Sequence, residues 1–310
     1  MQRGLFAGSP PFTMLIMLAF TMVACYSFIM LVGMLLVPPV FGLSIDELMN
    51  IFNGANAAQR LNVMRFLQIF DSIGRFVLPS FLAAYLFSSN TINYLRLRQG
   101  ASVKWFAAAL LLMFVAIPLI NMLVALNEMI VFPESLAWLE QRLKNSEDNA
   151  RQMTHLFLNV DNAGGLIFNI FMMAMLPAIG EELIFRGLLH KIFVKWSGSI
   201  HITVIVIGFL FSLMHLQFYG FFPRWALGVM FGYLMVWSGT IWLPIFAHFV
   251  NNAAVICFSY FIHKGTISEK IETFGANPAD IFAIIATTAV CAALLWIMSQ
   301  KWAKYKEKFC

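Results

Sequence analysis

Long apolar runs separated by short polar stretches dominate this chain of 310 residues. A helix needs about 20 apolar residues to cross the hydrocarbon of a bilayer, with a range of roughly 17–25. The pattern therefore predicts an all-α, polytopic membrane protein with about eight transmembrane helices. The segments that reach this length are residues 12–37, 66–88, 105–130, 164–190, 201–222, 225–241, 244–262 and 280–298.

The first apolar run, Phe12 to Val37, is too long for the core of a cleavable signal peptide, which has about 7–15 residues. It ends in Pro38-Pro39 and not in a small-residue cleavage site. We interpret it as a retained first transmembrane helix that stops at the prolines.

Two other segments are less clearly bounded. Only Ser238-Gly239 and Pro244 divide the sixth segment from the seventh, and we prefer two helices to one broken helix. The second segment is interrupted by Asp71 and Arg75, which are four residues apart and can pair on one helical face. This spacing favours a structural ion pair over a second active centre.

The longest polar stretch runs from Pro133 to Asp161. Its leucines at 136, 139 and 143 follow helical periodicity, which indicates a short amphipathic helix at the membrane interface. A solvated connector is the alternative.

Composition agrees with a membrane protein, because 61% of the residues are hydrophobic and 11% are charged, against about 25% charged in soluble domains. The net charge of +5 comes from basic residues near helix ends, which indicates membrane orientation and no nucleic-acid partner. With eight spans, ten basic residues fall on the side of the termini and seven on the other. We therefore predict a multi-pass integral protein, in the plasma membrane or a bacterial inner membrane, with both termini cytoplasmic. The four cysteines suggest no disulfide framework.

An acidic pair and an arginine lie within the apolar fourth segment, as Glu181, Glu182 and Arg186. Each ionisable side chain at the bilayer centre costs roughly 2.5–3.5 kcal/mol, so the default interpretation is a functional site that faces the protein interior. Glu182 and Arg186 are four residues apart and can form an ion pair. Glu181 is turned by about 100° on an ideal helix and can meet a different partner.

Three further polar residues lie within apolar segments: His215 in the fifth, and His248 and Asn252 in the seventh. A carboxylate in an apolar pocket can act as a general base near neutral pH. Histidines can move protons, and a histidine with an amide can donate to an oxyanion. The set is sufficient to hydrolyse an amide bond by attack of water.

The same residues admit other interpretations. Glu181, His215 and His248 are ligand types of a catalytic divalent metal such as zinc, although the short His-Glu-x-x-His motif is absent. A lone intramembrane histidine or asparagine is often a link between helices. The Glu182–Arg186 pair taken alone can be structural. The conjunction of all six residues favours a site.

These motifs resemble the CPBP family of intramembrane proteases, which includes type II CAAX prenyl endopeptidases and abortive-infection-like proteins. The matching elements are Glu181-Glu182-Leu-Ile-Phe-Arg186, Phe211-Ser-Leu-Met-His215 and His248-Phe-Val-Asn-Asn252, in that order. The resemblance implies that Glu181 and His215 activate water, that His248 and Asn252 stabilise the oxyanion, and that Glu182 and Arg186 complete the centre. It leaves metal dependence and substrate prenylation open.

The prediction is thus an intramembrane endopeptidase that acts on a peptide or protein substrate at the lipid bilayer. We divide the chain into N-terminal helices (1–163), a catalytic core (164–262), and a last helix with a basic tail (263–310). Two alternatives from other classes are a non-catalytic immunity or adaptor protein and a proton-coupled transporter. The latter would use the carboxylates and histidines as a relay, but no two-fold repeat of broken helices is visible.

Overall fold

The computed structural model describes residues 4–52 and 57–306, and within those ranges every regular element is a helix. This confirms the all-α prediction. The α-helices are α1 (Pro11–Phe41), α2 (Ile45–Phe52), α3 (Ala57–Ser72), α4 (Leu78–Phe87), α5 (Thr91–Tyr94), α6 (Val103–Val115), α7 (Ile117–Glu128), α8 (Ala137–Leu158), α9 (Ala163–Asn169), α10 (Leu176–Glu182), α11 (His190–Ser197), α12 (Ile200–Leu213), α13 (Phe221–Ser238), α14 (Trp242–His263) and α15 (Ile281–Lys306).

Five helical stretches in the described part of the chain are long and apolar enough to cross a membrane. A sixth results if α6 and α7, bent by 44° at their junction, form one span. The chain is therefore polytopic as predicted, but five or six stretches meet this criterion and not eight. The remaining two predicted segments are helical but short, since α12 has 14 residues and α13 has 18. The five stretches are Pro11–Phe41, Gln59–Phe87, Ala163–Ser197, Trp242–His263 and Pro278–Gln300.

The first helix does not stop at Pro38-Pro39 as the sequence suggested. It continues through both prolines to Phe41 and ends where Gly42 adopts a left-handed conformation with φ of 64°. The backbone N–H of Gly42 donates to the carbonyl of Pro38, which closes the last turn. A proline removes its own N–H but keeps its carbonyl, so the carbonyl of Pro38 still serves the cap.

The polar stretch between the third and fourth segments is mainly one helix, α8, of 22 residues. It is longer than the short helix that the leucine pattern indicated. Ion pairs four residues apart occur along it, such as Lys144 with Glu140 at 2.8 Å. Such exposed pairs add about 0.3–0.5 kcal/mol each, so contacts with the rest of the protein matter more to its position.

The expected Asp71–Arg75 ion pair is present, and both side chains are partly exposed. The guanidinium of Arg75 also lies 5.1 Å from the ring centroid of Tyr26 on α1. The pair therefore joins two N-terminal helices, in agreement with a structural role.

Two apolar clusters flank the centre of the protein. One contains residues of α1, α4 and α12 with Phe185 and Phe211, and the other contains residues of α6, α13, α14 and α15 with Phe231. Phe211 and Phe231 approach each other with ring centroids 6.4 Å apart. The polar residues of the motifs lie at this junction.

Candidate active site

The Glu181-Glu182 pair lies in one long helical stretch, Ala163–Ser197, that is not regular throughout. Two segments, Ile170–Met175 and Leu183–Leu189, have the wide turns of a π-helix. Glu182 is the last residue before the second wide segment, and Arg186 lies within it. Because wide turns change the angle between successive side chains, the ideal 100° rotation does not apply beyond Glu182. Such insertions are frequent at functional sites.

A close helix contact holds this stretch in place at Gly180. A Cβ at that position would lie 2.6 Å from the Cβ of Phe76 in the neighbouring Gln59–Phe87 stretch. Only a glycine permits the two backbones to approach this closely. The contact fixes the carboxylates that follow directly in the chain.

Glu182 is the centre of a buried polar network. Its Oε1 accepts a hydrogen bond from Nη1 of Arg186 at 2.9 Å and one from Nδ1 of His248 at 3.0 Å. Both Glu182 and Arg186 have no exposed surface. The predicted Glu182–Arg186 pair is therefore present, and the structure adds a partner 66 residues further along the chain.

Arg186 also contacts two features that the motif did not indicate. Its Nη2 donates to the backbone carbonyl of Gly228 on α13 at 2.6 Å. Its guanidinium lies 5.0 Å from the ring centroid of Phe211 and 5.6 Å from that of Phe231. The charge is thus compensated by a carboxylate, a carbonyl and aromatic faces.

At Gly228, whose carbonyl accepts the bond from Arg186, helices α12 and α13 pack at van der Waals distance. A Cβ on Gly228 would lie 2.9 Å from the Cα of Gly208. The two glycines form the small-residue contact that lets membrane helices approach closely. Gly228 belongs to none of the three sequence motifs, and the small residues Gly208 and Gly228 are the sequence signal that could have found this contact.

His248 connects the two glutamates. A carboxylate accepts hydrogen bonds, so the 3.0 Å contact assigns the Nδ1 proton of His248 to the bond with Glu182. Its Nε2 then faces Oε2 of Glu181 at 3.9 Å, which is beyond a direct hydrogen bond. Oε2 of Glu181 is buried and has no hydrogen-bond partner. Nε2 of His248 and Oε2 of Glu181 therefore face each other without a direct hydrogen bond between them.

His215 is not within a transmembrane helix, which corrects the sequence prediction. Helix α12 ends at Leu213, and His215 lies in the turn that follows it. The left-handed conformation of Leu216, with φ of 53°, turns the chain away from the helix axis. The apolar composition through residue 222 had suggested a longer helix. Hydropathy could not reveal the end at Leu213, because it does not report a change in backbone direction.

Phe211 separates the two histidines. Nδ1 of His215 donates to the carbonyl of Phe211 at 2.8 Å, which leaves Nε2 of His215 without that bond. The Phe211 ring meets the rings of His215 and His248 edge-on, with centroids 5.1 and 5.6 Å away. Phe231 stacks on the other side of His248 at 5.1 Å. Phe231 was not among the predicted residues.

Asn252 lies one turn beyond His248 on α14 and is half-buried. Its Oδ1 accepts a hydrogen bond from the side chain of Asn251 at 3.2 Å, so its Nδ2 keeps its hydrogens for another acceptor. The structure thus brings four predicted residues into one network and places His215 and Asn252 next to it. The four are Glu181, Glu182, Arg186 and His248.

Helix α8 packs on the turn that carries His215. The hydroxyl of Ser146 on α8 donates to the carbonyl of Leu216 at 3.2 Å. Arg224, in the first turn of α13, donates to both the carbonyl and the side chain of Gln217. The predicted amphipathic segment therefore borders the site.

The donor set does not fit a metal ion. Among residues 4–52 and 57–306, no three His, Cys, Asp or Glu side chains are gathered closely enough to hold one. The candidate ligands Glu181, His215 and His248 are not such a group. Nδ1 of each histidine donates to a carbonyl or a carboxylate and leaves Nε2 open, as metal-ligating histidines also do, so the misfit lies in the spacing of the three side chains.

The family described as Rce1-like, type II CAAX prenyl endopeptidase, matches residues 163–254. Residues 163–254 are thus similar to the Rce1-like family. This confirms the resemblance drawn from the three motifs and places the segment, at the family level, among proteases. All six motif residues lie within the Rce1-like segment.

Two curated proteins of Bacillus subtilis (strain 168) are similar to part of the chain. The sporulation-killing factor biosynthesis protein SkfC is 36% identical over 92 residues, which are 27% of this chain and 18% of that protein. The uncharacterized protein YpbD is 26% identical over 102 residues, which are 31% of this chain and 48% of that protein. The chain thus covers less than half of either relative. No solved structure matches the chain.

The apolar helices and the Rce1-like segment together identify an integral membrane protein. The site lies between two apolar clusters of its helices.

Proposed function

We propose that this protein is an intramembrane endopeptidase that hydrolyses a peptide bond by attack of a water molecule activated by Glu181. The observation that carries the proposal is the free Oε2 of Glu181, buried and 3.9 Å from Nε2 of a histidine that a second glutamate orients. The substrate is a peptide or protein segment at the membrane, since the site lies among apolar helices.

Glu181 acts as the general base. It removes a proton from water while the water oxygen forms a bond to the scissile carbonyl carbon. The proton then passes to the departing nitrogen as the C–N bond breaks, which yields a carboxylic acid and an amine. General bases contribute about 10²–10⁴-fold to such reactions.

His248 and Asn252 stabilise the developing oxyanion. His248 donates through Nε2 when it is protonated, and Glu182 stabilises that imidazolium through Nδ1 in the manner of a catalytic triad. Asn252 donates through Nδ2, because its Oδ1 already accepts from Asn251. Preorganised donors of this kind are among the largest contributions to catalysis.

Arg186 and His215 have supporting roles in this proposal. Arg186 holds the Glu182 carboxylate in place by a hydrogen-bonded ion pair, so that Glu182 can both orient His248 and stabilise a positive charge on it. His215 presents Nε2 beside the base, where it can share the water with Glu181. The turn after α12 and the contact with α8 set its position.

The decisive test is comparative proteomics of membranes from cells that carry wild-type protein or the Glu181→Gln variant. Peptide termini present in wild type should disappear in Glu181→Gln. A matched control is Glu134→Gln, which changes an exposed glutamate outside the site. Purified Glu181→Gln should keep the melting temperature of wild type. The nearest charged partner of Glu181 is His248 at 3.9 Å, whereas Glu182 has partners at 2.9 and 3.0 Å.

Three other outcomes would contradict the proposal. Wild-type termini in Glu181→Gln would show that Glu181 is not the base. Full biological function in that variant would support an immunity or adaptor protein. Proton-coupled uptake by the wild type in proteoliposomes, lost in Glu181→Gln, would support a transporter.

A further inference from the structure

A second polar cluster lies at the far end of the helix that carries the glutamates. It consists of His190 and Lys191 on that helix and Arg96 in the loop after α5. His190 lies within electrostatic range of Arg96, of Lys191 and of Arg186, which is one turn earlier on the same helix. None of the three cluster residues has a role in the proposed hydrolysis.

The loop that carries Arg96 is anchored on both sides. The Leu95 side chain is fully buried, and its Cδ2 would lie 3.0 Å from a Cβ added to Gly187. The indole of Trp242 donates to the carbonyl of Leu97 at 2.9 Å. Arg96 itself has φ of 56°, an uncommon conformation for a residue with a side chain. Anchors on either side of it hold this strained residue in place.

Lys191 is also held in position. Its Nζ donates to the backbone carbonyl of Tyr94 and lies 4.0 Å from the centroid of the Tyr94 ring. Both Lys191 and Arg96 are half-buried, so each can reach a ligand from the surface. Lys191 and Arg96 lie within electrostatic range of each other, so the region holds two positioned cations.

The positive charges of this cluster have no acidic partner in the described part of the chain, although Lys191 contacts the Tyr94 carbonyl and ring. Of the residues that the structure describes, no carboxylate forms an ion pair with Arg96 or Lys191. His190 is 5% exposed, and its Nε2 is buried without a hydrogen-bond partner. A buried polar nitrogen without a partner is costly, and an anion bound beside the two cations would give the His190 nitrogen one.

We propose that Arg96, His190 and Lys191 form a binding site for a phosphate group. Arginine and lysine are the side chains that bind phosphate oxygens, and the buried Nε2 of His190 adds a third donor when it carries the ring proton. Lys191 lies six residues before the end of the apolar stretch Ala163–Ser197, and lipid phosphates surround a spanning helix near its ends. The phosphate belongs either to the headgroup of an anionic lipid or to a free anion.

Thermal melting of the purified full chain in detergent tests the proposal and identifies the source. The additives are phosphatidylglycerol, phosphatidylcholine and inorganic phosphate at equal phosphorus concentration. A ligand that binds only the folded state raises the melting temperature with its concentration. We expect phosphatidylglycerol to raise it more than phosphatidylcholine; a comparable rise with inorganic phosphate would identify a free anion as the ligand.

Variants make the assignment specific. Arg96→Asn removes the charge with a residue that tolerates positive φ, and Lys191→Gln removes the second charge. Each should weaken the apparent affinity about tenfold, which corresponds to the loss of one charge-assisted hydrogen bond. The control is Arg98→Asn, which changes an exposed arginine in the same loop and should respond as wild type does.

Three results would overturn the proposal. They are no response to either anionic additive, an equal response to phosphatidylcholine, and a wild-type response in both Arg96→Asn and Lys191→Gln. Because the readout is binding and not proteolysis, the test is independent of the catalytic assignment. Should Arg96→Asn not fold, Lys191→Gln alone decides between these outcomes.

Discussion

Nδ1 of His248 lies 3.0 Å from Oε1 of Glu182, an oxygen that also accepts a hydrogen bond from Arg186. One carboxylate oxygen therefore joins the helix of the Glu-Glu motif to α14. A histidine oriented in this way presents its other nitrogen in a fixed direction. The direction here is toward Glu181, at 3.9 Å.

Loss of Arg186 should damage the fold as well as the activity. Removal of one partner of a buried ion pair typically costs about 3–5 kcal/mol, because the remaining charge is uncompensated. We expect Arg186→Ala to melt well below wild type in detergent, whereas Glu181→Gln melts with wild type. Equal melting temperatures for Arg186→Ala and wild type would show that the pair contributes nothing to stability.

Glu182→Gln should reduce proteolysis through His248. The amide keeps the size of the side chain but removes the charge that stabilises an imidazolium, so we expect a loss of about 10²–10⁴-fold in cleavage rate. Quantitative appearance of a substrate-derived terminus is the measurement. Asp71→Asn is the control, because that carboxylate pairs with Arg75 away from the site. An unchanged rate in Glu182→Gln would contradict the proposed role.

Gly228→Ala tests the contact between α12 and α13. The added Cβ would lie 2.9 Å from the backbone of Gly208, so the helices must separate and move the carbonyl that Arg186 contacts. Overpacking of this kind typically costs about 1–3 kcal/mol. Gly100→Ala is a matched control, since nothing lies within 4 Å of its added Cβ. The same melting temperature in both variants would mean that the helices are not in close contact.

Chelation of divalent metals should leave cleavage unchanged. The described residues gather no set of three metal ligands, and Glu181, His215 and His248 do not form such a group. The measurement is the cleavage rate of purified protein with and without chelator, together with elemental analysis. Stoichiometric zinc, with activity lost to chelator and restored by zinc, would reverse this expectation.

The sequence by itself determined the class of the protein and the local pairs. Apolar runs of sufficient length can only be helices in a membrane, because the backbone must satisfy its own hydrogen bonds there. The pairs Glu182–Arg186 and Asp71–Arg75 follow from a spacing of four residues on one helical face. The ordered motifs identified the family that the comparison confirms for residues 163–254.

Only the tertiary structure decided which distant groups meet. The bond between His248 and Glu182 joins residues 66 positions apart, and Arg186 donates to a Gly228 carbonyl that carries no side-chain signal. Hydropathy also placed His215 within a helix, whereas the left-handed Leu216 puts it in a turn. Residue type and spacing along one helix cannot report these contacts, because they depend on how separate helices approach, rotate and end.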